Sequence, residues 1–387
     1  CILMAEPSRP NVQAARRATQ GFFLLTGIAA GTWAPMVPFA KVRLGLDEGH
    51  LGVMLLCLGF GAVGAMPIAG FLSHHHGNRR VLAVGGVAVC LALPLLAIAP
   101  SMPALGAALI GFGGFLGVLD VAMNAHAVDV EKLHGRPLMS GFHAMYSIGG
   151  LAGAAGMSAL LGTGAPLAAC AVAIAVLLLA IAATQWRHVI DATHDAALAP
   201  PAMFALPSPA ALVLGALCLV IFLAEGAMLD WSALLLRGAR GVAIANAGLG
   251  YAAFSVAMAT GRLLGDRITA RLGPARVVRL GSLVAAAGMI AACALPWAWS
   301  ALIGFALVGI GASNIVPVLF SAAGRIPGTA PSVSIAAVTT LGYAGMLAGP
   351  AVIGLVARAT SLPIALGAVG ALVALVAAGA SRVRAAP

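Results

Sequence analysis

The chain has 387 residues, 61% of them hydrophobic and only 8% charged, with a mean hydropathy of +1.05. That balance excludes an ordinary soluble protein, and apolar runs continuous over about 20 residues exclude the alternating strands of a membrane β-barrel, which leaves a polytopic α-helical membrane protein. The net charge of +10 comes from Lys and Arg in short loops, where they set membrane orientation, so no nucleic-acid partner is expected.

Twelve spans are expected in chain order. The first six cover roughly residues 18–40, 49–72, 81–99, 103–128, 137–163 and 165–186. The second six cover roughly 209–236, 244–267, 276–295, 298–322, 332–358 and 361–380. Met4 reads as a start site, and no cleavable signal is expected before residue 18. Cys1, Cys57, Cys90, Cys170, Cys218 and Cys293 are scattered, and all but Cys1 lie in apolar runs, so free thiols are expected. The polar, Pro-containing stretch 187–208 divides the chain. The expected organisation is an N-terminal six-helix bundle (1–190), a linker (191–208) and a C-terminal six-helix bundle (209–387). With the N-terminus inside, sixteen Lys and Arg fall on inner segments and five on outer ones, which places both termini and the linker in the cytoplasm.

The halves resemble each other. Gly149-Gly150-Leu151-Ala152-Gly153 in span five parallels Gly345-Met346-Leu347-Ala348-Gly349 in span eleven, each with a GxxxG face. The offset is 196 residues, and the basic loop after span two, Gly70 to Arg80, has its parallel after span eight.

Several residues carry chemistry in otherwise apolar spans, where ionisable groups are costly and mark pathways. Asp120 and Asn124 share a face of span four. A short charged loop, Asp129 to Pro137, leads to span five, which carries His143, Tyr146 and Ser147 on one face. A hydrogen-bonded pair of Asp120 with His143 is one reading, and a purely structural clasp between helices is the other. Glu225 lies mid-span in span seven with no charged neighbour within its own helix turn, while Asp230 and Trp231 lie further out. An unpaired carboxyl there would load a proton from one side and release it on the other, so Glu225 leads as the coupling site, with Asp120 and His143 in reserve. Pro35 and Pro38 beside Trp33, and Pro317 beyond Ser313 and Asn314, open backbone toward a cavity. Thr339 and Tyr343 share a face of span eleven. His74-His75-His76 cannot all reach one ion from a helix, so no metal site is expected. No GxxxxGK[ST] occurs, so nucleotide-driven transport by this chain is not expected, nor is any cofactor.

The stretch Gly261-Arg-Leu-Leu-Gly265-Asp266-Arg267 with Arg271-Leu-Gly273 after span eight, and Gly70-Phe-Leu-Ser-His74 to Arg80 after span two, resemble the cytoplasmic loop motif of the major facilitator superfamily. His74 stands at the acidic position of the first copy. The segments Asp120-Val-Ala-Met-Asn124, Gly141 to Ser147 and Glu225 to Ser232 are similar to a bacterial subgroup distantly related to sugar and fucose permeases. The resemblance implies an all-α fold of two pseudo-symmetric six-helix bundles, in which spans one, four, seven and ten line the cavity. That makes Trp33, Asn124, Asn314 and, second, Tyr343 substrate-binding candidates. It also implies a cytoplasmic latch at Gly265, Asp266, Arg267 and Arg271, with simple positive-inside anchoring as the plainer alternative. The function implied is a monomeric, proton-coupled secondary transporter of a small polar solute in a bacterial inner membrane. Two other readings stay open: a drug or metabolite efflux antiporter, and an intramembrane enzyme or sensor without transport. Against efflux, span five has Gly153-Ala154 where efflux members usually carry Gly-Pro.

Overall fold

Helix starts fall where the sequence supplies caps. Asn11, Asp47, Ser101, Ser208 and Ser361 each precede a helix, and each side chain accepts from the backbone N–H three residues on, at 2.7 to 3.4 Å. The fold is seen in a computed structural model that describes residues 11–190, 206–243 and 246–383. Cys1, Met4, Arg9, Arg384 and most of the 191–208 linker lie outside these. The first half comprises α1 (Val12–Leu44), α2 (Glu48–His76), α3 (Asn78–Ile98), α4 (Met102–His134), α5 (Met139–Gly162) and α6 (Leu167–Gln185). The second comprises α7 (Pro209–Arg240), α8 (Leu249–Leu272), α9 (Pro274–Ala294), α10 (Ala298–Ala312), α11 (Ile315–Ala323), α12 (Pro331–Ala359) and α13 (Leu362–Gly379).

Among the described residues thirteen α-helices make twelve spans, because span ten breaks at Ser313–Asn314 into α10 and α11. By length and composition, eleven segments among the described residues are apolar enough to cross a membrane. The twelfth span is α8, which falls short because it carries Arg262, Asp266, Arg267 and Arg271.

The expected loop from Asp129 to Pro137 is corrected. α4 continues to His134 and stops at Gly135, whose φ of 70° suits glycine, so Asp129, Glu131 and Lys132 are helical. Asp129 and Glu131 are buried, because α4 runs past the apolar layer into contact with the other half.

The two halves repeat one packing plan. α1 lies along α5 as α7 lies along α12, and α2 along α4 as α8 lies along α10. The GxxxG faces explain the first pair. A methyl on Gly149 would fall onto the carbonyl oxygen of Leu24, and one on Gly345 onto that of Leu219. These two contacts preserve the 196-residue repeat to within one residue. Between the halves run two seams, α5 against α8 and α2 against α12.

Candidate functional site

Three residues form a polar chain in the first half. The His143 ring nitrogen Nε2 lies 3.1 Å from Asn124 Oδ1, and Asn124 Nδ2 donates to the Asp120 carbonyl at 2.8 Å and to Asp120 Oδ1 at 3.4 Å. Because the Asn124 amide nitrogen is spent on Asp120, its oxygen faces the imidazole, and Nε2 carries the proton. The expected direct pair of Asp120 with His143 is thus replaced by a link through Asn124. Asp120 is buried, and its second oxygen, Oδ2, has no hydrogen-bond partner among the described residues. The imidazole is held between Phe23 of α1 and Phe320 of α11, at ring-centroid distances of 5.2 and 5.6 Å, so it touches both halves.

Glu225 is not alone. Arg262 Nη2 of α8 lies 3.5 Å from Glu225 Oε1, with side chains 9% and 15% exposed. No hydrogen bond reaches that carboxylate oxygen, so this is a long ion pair. The same guanidinium donates through Nη1 to Ser147 Oγ at 2.9 Å and through Nε to the Ser313 carbonyl at 3.4 Å. Arg262 therefore joins α7, α8 and the break of span ten to α5 of the other half. Pro317, four residues on, has no N–H to give the Ser313 carbonyl, which is left for Arg262. Ser147 Oγ in turn donates to the His143 carbonyl at 3.2 Å, which links the Arg262 network to the chain of His143, Asn124 and Asp120. The two carboxyls thus belong to one cluster spanning both halves.

The remaining candidates divide. Trp33 is buried on α1 with its ring N–H unpartnered. Tyr343 stands edge-on to Phe222 at 5.2 Å, near the cluster. Asn314 faces elsewhere: Nδ2 donates to the Gly261 carbonyl at 3.1 Å and to Ser313 Oγ at 2.9 Å, tying the break to α8.

At the end of the bundle that carries the α4–α5 connection, the halves are bolted together. Asp266 accepts from the backbone N–H of Ser140 at 3.0 Å and of Gly141 at 3.1 Å, so it caps α5 of the opposite half. Gly265 makes room: a Cβ there would collide with Asn314 and Ser140. Glu131 supplies a second bolt. One oxygen accepts from Leu138 N at 2.8 Å and Met139 N at 3.0 Å; the other takes Arg325 at 3.1 Å and the hydroxyl of Ser321. Arg267 and Arg271 are exposed on α8, apart from these bonds. At the repeat offset of 196, Asp266 corresponds to Gly70, not to His74. Gly70 lies where Asp266 would predict, with its Cβ position 3.1 Å from the Ser332 carbonyl in the first turn of α12.

The Major Facilitator Superfamily profile matches residues 21–350. The chain belongs to the Major Facilitator Superfamily. An uncharacterized MFS-type transporter of Yersinia pestis is 46% identical over 369 residues, covering 95% of each chain. The membrane protein MosC of Rhizobium meliloti is 31% identical over 348 residues, covering 89% of this chain and 84% of that one. The fold is shared with the fucose:proton symporter FucP of E. coli at a TM-score of 0.72 and 16% identity, over 96% of this chain and 98% of that one. The human organic anion transporter MFSD10 aligns at a TM-score of 0.76 and 16% identity, over 97% and 100%.

As a member of the superfamily the chain is a secondary-active small-solute transporter, a transport fold rather than a catalytic one, and a multi-pass protein of a bacterial inner membrane. Three residues of these networks escaped sequence reasoning. Arg262 counts as a loop cation when only basic bias is tallied, although it falls inside the expected span 244–267. Glu131 and Arg325 stand 194 residues apart at the ends of spans four and ten, and that near-repeat offset was the available signal.

Proposed function

We propose that this transporter couples solute movement to protons, with Asp120 as the proton site and the Glu225–Arg262 pair as the element that senses solute and joins the halves. The observation that supports it most is the partnering of the two acids. Glu225 has a cation beside it, whereas Asp120 Oδ2 is buried with no hydrogen-bond or ion-pair partner among the described residues. In an apolar core, a carboxyl without a counter-ion holds a proton at lower cost than a negative charge. The roles first assigned to the two carboxyls are therefore exchanged. The solute is small and polar, presenting donors to Asp120 and Glu225 and an acceptor to the Trp33 ring N–H. The α4–α5 end faces the cytoplasm, because thirteen of the eighteen described Lys and Arg other than Arg262 fall on that side. The state seen, with that end bolted, is then closed to the cytoplasm.

The solute is first identified by a thermal-shift screen of sugars, polyols, amino acids and drugs on the purified protein. Proteoliposomes then test the roles. Asp120→Asn is expected to abolish uphill accumulation driven by a pH gradient while keeping exchange of labelled solute at equal pH. Glu225→Gln is expected to lose both, since it strips Arg262 of its counter-charge. If Asp120→Asn still accumulates solute with wild-type pH dependence, Asp120 is not the proton site.

A further inference from the structure

Four arginines gather where α8 turns into α9. Arg267 and Arg271 lie in the last two turns of α8, and Arg276 and Arg279 in the first two turns of α9. All four are exposed, and none has an ion pair or hydrogen bond among the described residues. Asp266, beside Arg267, is taken up by the N–H groups of Ser140 and Gly141, and the chain holds no other acid from Trp231 onward. The start of a helix is also the unfavourable end of its dipole for a cation, and α9 has no acid in its first turn to offset Arg276 and Arg279. The internal repeat shows that this charge is particular to one corner. At the offset of 196 the matching positions are Phe71, His75, Arg80 and Ala83, a single permanent cation against four. The neighbouring Arg79 of the first half is stacked on the Trp186 ring at 4.8 Å.

The apolar neighbours indicate what these arginines meet. On α8 the exposed Leu263 lies one turn before Arg267, and on α9 the exposed Leu280 and Leu283 lie one turn after Arg276 and Arg279. Exposed leucines on a membrane-spanning helix face lipid chains, which are as apolar as they are. The arginines continue the same faces into the headgroup layer, their stems along the chains and their charges in the polar zone. We propose that this corner binds an anionic phospholipid in the leaflet at the α4–α5 end. Its phosphate takes the guanidiniums, which fit phosphate oxygens two at a time, and its chains lie along the leucines. A soluble anion would use the arginines and leave the leucines idle. The lipid anchors the end of α8, the helix that carries Arg262 and Asp266. The site lies on the second half alone, and its occupancy can be measured without knowing the transported solute.

The test places the full chain in nanodiscs of phosphatidylcholine, alone or mixed with phosphatidylglycerol. Thermal unfolding and native mass spectrometry of the lipids that stay bound are the two readouts. The wild type is expected to unfold at a higher temperature with phosphatidylglycerol and to keep it in preference to phosphatidylcholine. Arg267→Gln/Arg271→Gln and Arg276→Gln/Arg279→Gln are each expected to weaken that retention about tenfold or more. Arg17→Gln/Arg187→Gln removes the same charge from exposed positions of the first half at the same end, and is expected to leave retention unchanged. The four arginines hold no group of the described residues, so the variants are expected to unfold like the wild type in phosphatidylcholine alone. Four results would overturn the proposal. They are no preference for phosphatidylglycerol, an equal loss in Arg17→Gln/Arg187→Gln, a loss of stability already present in phosphatidylcholine, or the same stabilisation by glycerol 3-phosphate without the lipid.

Discussion

Arg262 shows what a single residue does in this molecule. A guanidinium 9% exposed is tolerable only with its charge paired and its donors used, and here Glu225, Ser147 and the Ser313 carbonyl share that work. Replacing it with Met would leave Glu225 as an uncompensated buried charge, at a cost of about 3–5 kcal/mol. Arg262→Met is therefore expected to lower the unfolding midpoint markedly, and Glu225→Gln/Arg262→Met to recover most of the loss; thermal unfolding in detergent measures both. Arg262→Lys should recover only part, because an ammonium cannot reproduce the planar fork that reaches Glu225, Ser147 and Ser313 together. A double variant no more stable than Arg262→Met would show that the pair is not coupled. Much of this residue-level chemistry was legible in the sequence. Asp120, Asn124, His143 and Glu225 announce themselves as polar groups in apolar runs. Their partners do not, because Asn124 rather than Asp120 meets His143, and Arg262 reaches Glu225 across a helix boundary that no spacing encodes.

At the scale of elements, α5 is held at two places by contacts with different physics. Its start has no cap of its own and borrows carboxylates from Glu131 and Asp266. Asp266→Asn keeps the shape but loses the charge that favours a helix N-terminus, a term of about 0.3–1 kcal/mol at an exposed site and up to about 2 in partly buried geometry. It is expected to raise the reactivity of a cysteine placed at Ser140 toward a reagent added from the α4–α5 side, with folding intact. An equal change at His74 should do less, since the position that matches Asp266 is Gly70. Unchanged reactivity in Asp266→Asn would reduce the bolt to simple anchoring. Further along, α5 is pressed against α1 so closely that a Cβ on Gly153 would fall onto the Ile28 carbonyl, whereas one on Gly156 would meet only Ile174 at 3.9 Å. Gly153→Leu is expected to abolish folded protein while Gly156→Ala is tolerated, as size-exclusion profiles would report. Equal behaviour of the two would refute the close crossing. The GxxxG pattern was readable from the chain, but which helix it met was not, because small residues state that something approaches and not what.

For the whole molecule, the twelve spans and their repeat follow from hydropathy and the 196-residue offset, since each span must satisfy its own backbone in lipid. The junction between halves was the hard part to read. It is built from residues far apart in the chain: Glu131 with Arg325, Asp266 with Ser140, Arg262 with Ser147, and His143 between Phe23 and Phe320. Those contacts join the halves by a few polar bonds, beside the packed seams of α5 with α8 and of α2 with α12. On the proposed reading, a proton on Asp120 shifts the balance between closed and open at the α4–α5 end. Spin labels on cysteines placed at the exposed positions Leu133 of α4 and Arg271 of α8, in a chain stripped of its own cysteines, report that separation by pulsed electron resonance. The wild-type background should change its distance distribution between alkaline and acidic pH, and Asp120→Asn, which mimics the protonated acid, should show the acidic distribution at both. A pH response in Asp120→Asn identical to that of the wild-type background would show that Asp120 is not the group whose protonation moves this end.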